Sequence, residues 1–324
     1  MSPARAAGGP ARRKSTPRPA GRRAGARPAT PPQPAPDGLS LANPLALPRA
    51  LRALDRELQQ RLDRIPTRLN EYGYDPFGAD PRAVRRLLLP GALVYRYWLR
   101  VETHGIAQVP EGRVLLIANH AGNTFAWDGA MLALAMLLEA EPPRLVRAMG
   151  EYYLPRIPFF NVLLHRGGSV VGTPENCIQL LEHDEAVMVF PEGARGFVKP
   201  YSKRYELQRF GLGFVRLALA TDTPVVPIGI VGSEEQSPAL ADVKALGRLI
   251  GSPAFPITPL FPWLGLLGFL PLPVKFRIRF GAPLRFEGDA HDDDAAIEAH
   301  VERVKSEIRA LIDQGLAERK GWFA

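Results

Sequence analysis

Apolar side chains recur at helical spacing in three parts of the chain. In residues 47–65, leucines and isoleucines at three- and four-residue steps lie between charged residues, which predicts an amphipathic helix that Pro66 ends. Residues 83–101 mix leucines with arginines and are too charged to span a bilayer. Residues 292–317 carry an apolar stripe behind an acidic first turn, which is typical of a helix packed on the core. We expect the first helix to pack on the domain itself, with a membrane surface as the alternative.

From Arg113 onward, short apolar runs bounded by turn residues are separated by helical patterns. This alternation predicts an α/β fold, with a largely parallel sheet flanked by helices on both faces and preceded by N-terminal amphipathic helices. The predicted strands are residues 114–118, 145–149, 169–171, 186–190, 225–231 and 274–280.

Residues 249–274 contain no charged side chain and are long enough to cross a membrane. Their prolines would break a spanning helix repeatedly, so we expect no transmembrane span. Between the prolines lies the apolar stretch WLGLLGFL, residues 263–270. A buried loop is one interpretation. We favour an interfacial segment or a wall of a lipid pocket, because an uncharged loop of this length normally needs a ligand or a bilayer.

Charge is distributed unevenly along the 324 residues. The net charge is +8, and residues 1–36 hold eight basic side chains and no acid. The remaining 33 basic residues equal the 33 acidic ones, so the rest of the chain is neutral and we expect no nucleic-acid partner. We predict a disordered basic Pro/Ala/Arg-rich arm over residues 1–42. The arm is either a solvated leader or weakly attracted to anionic lipid or nucleic acid, and an organellar import sequence stays open.

With 46% hydrophobic residues, the chain can bury a sizeable core. We predict one domain over residues 43–324, with N-terminal helices at 43–100, an α/β core at 101–290 and a C-terminal helix at 291–324. The single cysteine, Cys177, excludes an intramolecular disulfide and a multi-cysteine metal site. It also suits a reducing compartment, so we expect a cytoplasmic protein.

The stretch IANHAGNTFAWDG, residues 117–129, places a histidine directly after a predicted strand. His120 lies at the carboxyl end of that strand, where ligands bind in open α/β sheets. Gly122 and Asn123 indicate a loop, which can fold Asp128 back to accept a hydrogen bond from one imidazole nitrogen while the other faces a substrate. A lone histidine is more often structural, but this pair is typical of a general base.

A second motif, FPEGARG at residues 190–196, also follows a predicted strand. Glu192 and Arg195 flank Gly193, whose missing side chain lets a ligand approach the backbone closely. Alone, the motif would also fit a turn with a surface ion pair.

Four blocks in order over residues 101–286 resemble the glycerolipid acyltransferases typified by bacterial 1-acylglycerol-3-phosphate acyltransferase. They are a strand ending in Asn-His with a later Asp, a Gly-rich strand-to-helix segment, Phe-Pro-Glu-Gly-x-Arg, and an apolar strand with Val226-Pro227-Ile228. The resemblance implies a catalytic dyad of His120 and Asp128 and a catalytic role for the predicted core. The residues that we expect to bind substrate are Asn119, Gly122, Arg166, Glu192, Gly193 and Arg195.

Two features depart from the family pattern. Seven residues separate His120 from Asp128, where the family usually has four. The usual arginine after the Gly-rich strand is also missing, since residues 167–177 read GGSVVGTPENC. A phosphate on the acceptor would need such a cation. Arg166, Arg195, Lys199 or Arg204 would replace it, or the acceptor lacks a phosphate.

The expected reaction transfers an acyl chain from a thioester, on coenzyme A or acyl carrier protein, to a hydroxyl of a lysophospholipid, glycerol phosphate or neutral glycerolipid. His120 would take the hydroxyl proton, Asp128 would fix its tautomer, and N–H groups near Gly122 or Gly193 would stabilise the oxyanion. No metal or cofactor is needed beyond the acyl donor. The chain lacks a Gly-x-Ser-x-Gly elbow and a Walker loop.

Two other functions remain as alternatives. The first is a non-catalytic lipid-binding protein that keeps the fold. The second, ranked last, is a nucleic-acid protein acting through the arm. For the acyltransferase we expect peripheral or monotopic attachment to a membrane surface near residues 263–270.

Overall fold

The computed structural model describes residues 47–123, 125–150, 160–249 and 255–323. The arm predicted over residues 1–42 lies outside these residues and stays a prediction. The helices are α1 (Leu47–Asp63), α2 (Pro81–Leu93), α3 (Trp127–Leu138), α4 (Phe160–Arg166), α5 (Pro174–Glu182), α6 (Ala194–Phe197), α7 (Gly213–Thr221), α8 (Lys244–Leu249) and α9 (Asp294–Ala317). The strands are β1 (Glu102–His104), β2 (Val114–Ala118), β3 (Val146–Gly150), β4 (Val170–Val171), β5 (Ala186–Val189), β6 (Val225–Val231), β7 (Ala241–Asp242), β8 (Pro256–Ile257) and β9 (Arg277–Phe280).

A seven-stranded sheet with the order β1-β9-β6-β2-β5-β3-β4 forms the core. Its strands pair in parallel except for β9, which runs antiparallel to β6. Every residue of β2 and β6 is buried, because both strands lie inside the sheet with helices on either side. The predicted fold class, a largely parallel sheet flanked by helices, is therefore confirmed.

Alternation along β2 connects the two hydrophobic layers. Leu116 and Ala118 face a layer that includes residues of α1 and α3, whereas Leu115 and Ile117 face a layer that includes residues of α5, α7 and α9. Successive side chains of a strand point to opposite faces, so one apolar run supplies both layers.

The helix α1 packs on the domain, as the amphipathic pattern predicts. Leu54 and Leu58 are buried in the layer with α3, and the Arg61 guanidinium donates a hydrogen bond to the Leu137 carbonyl at 2.8 Å. Leu137 lies in the last turn of α3, where the carbonyl groups lack helical partners and attract a cation. This contact fixes α1 against the helix that carries Asp128.

The helix predicted over residues 83–101 differs from the prediction, and the strand β1 was not predicted. The helical pattern of residues 83–101 divides into α2 and a π-helical turn, Val94–Trp98, after Pro90 within α2. Proline has no N–H and its ring crowds the preceding turn, which favours such a change of winding. The short strand β1 has the sequence Glu-Thr-His, which gives no apolar signal, and it forms by pairing with β9.

The described part of the uncharged segment is not a buried loop throughout. Trp263 and Leu267 are 71% and 62% exposed, beside a 3₁₀ turn at Gly265–Phe269. Among the helices of the described residues, none is both long and apolar enough to cross a membrane.

The packing of α1 leads to a stability prediction. Replacing the buried Leu58 by alanine leaves a cavity between α1 and the sheet and should lower the free energy of unfolding by about 2–5 kcal/mol in urea denaturation. Leu47→Ala, at an exposed position of the same helix, is the matched control and should cost little. Equal, small losses in both variants would mean that α1 does not contribute to the core.

Candidate active site

The Asn119 side chain holds the end of β2 against β6. Its Nδ2 donates to the Ile230 carbonyl at 3.0 Å, and its Oδ1 accepts from the Ile230 N–H at 2.8 Å. Both ends of this buried amide are therefore occupied by backbone. Asn119 extends the pairing of the two strands by one position and fixes where the chain leaves the sheet, directly before His120.

His120 and Asp128 form a hydrogen bond. The distance from Nδ1 to Oδ2 is 2.7 Å, and the Asp128 carboxylate is fully buried in the first turn of α3. Oδ2 also accepts from the Ala121 N–H at 2.7 Å, and Oδ1 accepts from the Gly129 N–H at 2.8 Å. Burial opposes ionisation, but the His120 charge and these hydrogen bonds outweigh it, so the pKa of Asp128 lies below its usual value. The carboxylate is ionised at neutral pH.

An ionised carboxylate can only accept, so Nδ1 of His120 is the donor, and in the neutral imidazole this tautomer has its lone pair on Nε2. The imidazole stacks on Phe190 with the ring centroids 4.2 Å apart and also contacts Phe197 at 5.1 Å. The side chain is 12% exposed. The site thus holds the imidazole against two aromatic rings, with Nδ1 turned to the Asp128 carboxylate.

Hydrogen bonds fix the first residues of the seven-residue connection between His120 and Asp128. The Asn123 N–H donates to the Phe197 carbonyl at 2.9 Å, and Nδ2 of Asn123 donates to the Ser237 carbonyl at 2.7 Å. A Cβ on Gly122 would lie 2.2 Å from the Phe197 ring, so only glycine fits there. The longer loop therefore keeps the histidine and the aspartate in contact.

Glu192 joins the two motifs. Its buried carboxylate accepts from the His120 N–H at 2.9 Å through Oε1 and from the Gln208 N–H at 2.8 Å through Oε2. Gly193, at φ 57° and ψ −147°, has a conformation that favours glycine, and its N–H donates to the Phe190 carbonyl at 3.0 Å. Since the Gly193 N–H is occupied, the N–H of Gly122 is the stronger candidate for stabilising an oxyanion.

Comparison with known proteins shows the family to which this sequence belongs. The model of the family described as Acyltransferase matches residues 100–231, a span that includes His120, Asp128 and Glu192. A Mycobacterium tuberculosis protein that bears only the name of an uncharacterized protein is 38% identical over 87% of this chain and 78% of its own length. The chain belongs to the acyltransferase family. It is an enzyme of the acyl-transfer class.

More distant proteins are also similar to this acyltransferase. A mouse protein named DGAT1/2-independent enzyme synthesizing storage lipids is 24% identical over 67% of this chain and 61% of its own length. Among solved structures, the 1-acyl-sn-glycerophosphate (LPA) acyltransferase PlsC of Thermotoga maritima matches with a TM-score of 0.49. Its identity is 17%, over 74% of this chain and 81% of that chain.

The acyltransferase does not bring all of the predicted binding residues together. Arg166 ends α4, and its carbonyl accepts from the Asp80 N–H at 3.1 Å. The strand β4 that follows it is at the edge of the sheet, with β5 and β3 between β4 and β2. Arg195 is exposed one turn after Glu192, and its Nη2 donates to the Arg209 carbonyl at 3.3 Å. Arg195 is therefore close in the chain to a residue that bonds His120, whereas Arg166 precedes the edge strand.

Lys199, another cation expected to replace the missing arginine, is buried and already paired. Its Nζ lies 2.8 Å from Oε1 of Glu234 and donates to the Glu206 carbonyl at 3.1 Å. Oε1 of Glu234 also accepts from the Tyr205 N–H at 3.1 Å. Burial raises the pKa of Glu234 to about 7, although the Lys199 charge opposes this change. Lys199 supports the loop after FPEGARG and is not free to bind a phosphate.

The residues that sequence reasoning missed follow β6. All five residues of the run SEEQS, 233–237, are buried. Gln236 donates from Nε2 to the Gly122 carbonyl at 3.0 Å, and its backbone carbonyl accepts from the Leu272 N–H at 2.7 Å. The available signal was a polar run directly after an apolar strand, at the same edge of the sheet as His120.

In the described residues, no three His, Cys, Asp or Glu side chains come together as metal ligands. Burial raises the pKa of the Cys177 thiol to about 11, so this thiol stays protonated and is a poor nucleophile.

The Glu234 carboxyl leads to a pH prediction. Its pKa is about 7 in the folded protein against 4.5 for the ordinary group, so the folded chain holds a proton that the unfolded chain releases between these values. Stability should fall as pH rises across this window, by an amount on the order of 2 kcal/mol between about pH 5 and pH 7. Glu234→Gln, which cannot titrate, should reduce this fall in urea denaturation, whereas Glu182→Gln at an exposed site should not. If Glu234→Gln left the pH dependence of the unfolding free energy unchanged, the raised pKa of Glu234 would be contradicted.

Proposed function

We propose that this acyltransferase moves an acyl chain from a thioester, on coenzyme A or acyl carrier protein, to a hydroxyl of a glycerolipid, with His120 as the general base. The single observation that carries the proposal is the 2.7 Å hydrogen bond between His120 Nδ1 and the buried, ionised Asp128. It directs the lone pair of Nε2 outward at the carboxyl end of a central strand, where an acceptor can reach it.

The chemistry follows from the proton positions. A lipid hydroxyl has a pKa far above 7, so Nε2 of His120 takes its proton as the oxygen attacks the thioester carbonyl, which is typically worth about 10² to 10⁴ in rate. Asp128 stabilises the imidazolium that forms. The Gly122 N–H stabilises the oxyanion. Collapse of the tetrahedral intermediate forms the ester, breaks the C–S bond and returns the proton from His120 to the leaving thiolate.

We favour a neutral glycerolipid as the acceptor, because few cations near the dyad are available to bind a phosphate. Lys199 is buried and bonded to Glu234, and Arg166 precedes the edge strand β4. A phosphate beside the dyad would therefore depend on Arg195 or Arg204, both of which are exposed. The mouse relative, whose name describes the synthesis of storage lipids, supports the same class of acceptor.

Peripheral or monotopic membrane attachment is part of the proposal. The Trp127 indole donates from Nε1 to the Phe269 carbonyl at 3.0 Å, which ties the uncharged segment to the residue next to Asp128. Moving an acyl chain into water costs about 0.8 kcal/mol per CH₂, so an enzyme at the bilayer surface meets its substrate more readily.

The alternative is a lipid-binding protein without turnover. An Asp128 carboxylate turned toward solvent would favour that alternative. The hydrogen bond to His120 and the complete burial of the carboxylate support the enzyme instead.

Replacing the base should stop the reaction and leave the fold intact. His120→Ala should reduce kcat by about 10² or more, measured as thiol release from an acyl thioester in the presence of acceptor. The melting temperature should fall because Asp128 loses one donor, but the fold should persist because Oδ2 of Asp128 keeps the Ala121 N–H. His183→Ala, an exposed histidine after α5, is the matched control and should behave as wild type. Turnover of His120→Ala at the wild-type rate would remove the mechanism.

Replacing the carboxylate separates binding from chemistry. Asp128→Asn keeps the side-chain volume but cannot stabilise the imidazolium, so kcat should fall by about 10² to 10⁴ while KM changes little. Asp313→Asn, at an exposed position of α9, should leave both constants unchanged. An unaltered kcat in Asp128→Asn would show that another group orients His120.

A further inference from the structure

Exposed large apolar side chains gather from three parts of the chain that are distant in sequence. One group lies in the uncharged segment, one residue ends the π-helical turn, and a pair follows α9. We call these residues the apolar surface: Trp98, Trp263, Leu264, Leu267, Leu270, Trp322 and Phe323. Phe323 is 60% exposed, close to the 62% of Leu267. Concentrated apolar exposure of this kind indicates an interaction site.

Hydrogen bonds to residues 271–275 bring the three groups to one place. Trp98 donates from Nε1 to the Pro271 carbonyl at 2.7 Å. The Lys275 N–H donates to the Trp322 carbonyl at 2.8 Å. Arg100 then bridges two of the groups, because its Nη2 donates to the carbonyls of Pro273 at 2.9 Å and Phe323 at 3.1 Å. The apolar surface is therefore held together by backbone carbonyl groups, and its side chains remain outside.

A cationic rim lies beside this surface. The Trp322 ring contacts the Tyr201 ring with the centroids 5.9 Å apart. The Arg204 guanidinium lies over the Tyr201 ring, 4.9 Å from its centroid. Lys203 and Lys320 are exposed nearby in the chain. Within the part of the chain that the structure describes, the salt bridges leave Lys203, Arg204 and Lys320 without an acidic partner. Cations next to exposed tryptophans are typical of surfaces that meet anionic lipid headgroups.

We propose that the apolar surface docks the enzyme on an anionic bilayer, with Trp322 and Phe323 as a second anchor beside residues 263–270 and with Lys203 and Arg204 contacting lipid phosphates. The inference rests on the proposed function in one respect, that the substrate is a lipid. The bilayer is favoured over a second copy of the chain by the cationic rim, since two such rims would repel each other. It is also favoured by the Trp127–Phe269 hydrogen bond, which places the surface beside the dyad loop.

Tryptophan suits this position for a physical reason. At the boundary between headgroups and acyl chains, its ring enters the apolar region while its N–H stays satisfied. The indole of Trp98 already has that partner in Pro271. Docking would then remove apolar area from water without leaving the Trp98 N–H unpaired.

The test uses the full chain and sedimentation with vesicles of phosphatidylcholine, with or without phosphatidylglycerol. Trp322→Ala with Phe323→Ala should weaken binding about ten-fold or more at low and at high salt, because apolar contact is not screened. Lys203→Gln with Arg204→Gln should weaken binding only to the anionic vesicles and only at low salt. The pair Leu69→Ala and Tyr72→Ala, exposed between α1 and α2, is the control and should bind as wild type.

Two further measurements keep the outcome decisive. The conservative pair Trp322→Phe and Phe323→Leu should retain binding, which separates lost apolar area from lost fold. Gel filtration should give the same size for wild type and the alanine pair. Unchanged vesicle binding by the alanine pair would overturn the proposal, as would a change of oligomeric state in gel filtration, which would make a second copy the occupant.

Transfer to a short-chain acceptor dispersed in detergent distinguishes this proposal from the proposed function. The alanine pair should keep that activity, because neither residue contacts the dyad. If the wild type bound vesicles but transferred no acyl group in detergent, the proposed function would fail and the docking surface would stand.

Discussion

The conformation of the candidate active site depends on one buried carboxylate, that of Asp128. Asp128 is ionised and fully buried, and such a charge is stable only if every oxygen has a donor. His120 Nδ1 and two backbone N–H groups supply those donors, and the first turn of α3 adds its dipole. To satisfy this one side chain, the loop after β2 has to turn back on the start of α3. The conformation that meets the constraint also fixes Nδ1 of His120 as the donor to Asp128, so that Nε2 is the nitrogen left for a substrate.

The surrounding polar groups serve the same loop from several directions. Asn119 fixes its beginning to β6, Glu192 accepts the His120 N–H, and Gln236 holds the Gly122 carbonyl. Trp127 ties its end to the exposed apolar segment. Most of these bonds are to backbone atoms, so the residues position the dyad. A change in any of them is expected to act through the placement of His120.

The sequence predicted the features that depend on local pattern. The apolar runs of β2, β5 and β6, the stripe of α1 and the Pro-broken uncharged segment all follow from composition and spacing, and the structure confirms the largely parallel sheet. The pairing of His120 with Asp128 was also predictable, since a loop and a single acid follow the strand. The catalytic role of the pair stays a prediction.

What the sequence missed depends on long-range contacts. Glu192 belongs to a motif that was expected to bind substrate, yet its carboxylate points inward to two N–H groups. Arg166 and Lys199 are cations that the sequence offered for binding a phosphate. In the structure Arg166 precedes the edge strand β4, and Lys199 is paired with Glu234. The run SEEQS has the composition of a surface loop and is buried because Lys199, Tyr205 and Arg319 reach it from other segments.

The most direct test of the central claim is mass spectrometry of the lipids formed when the purified full chain meets an acyl thioester and a mixed panel of glycerolipid hydroxyl acceptors. The account predicts a new ester together with an equal amount of free thiol, and most product from the neutral acceptors. Thiol release accompanied only by free fatty acid, or no turnover at all, would contradict it.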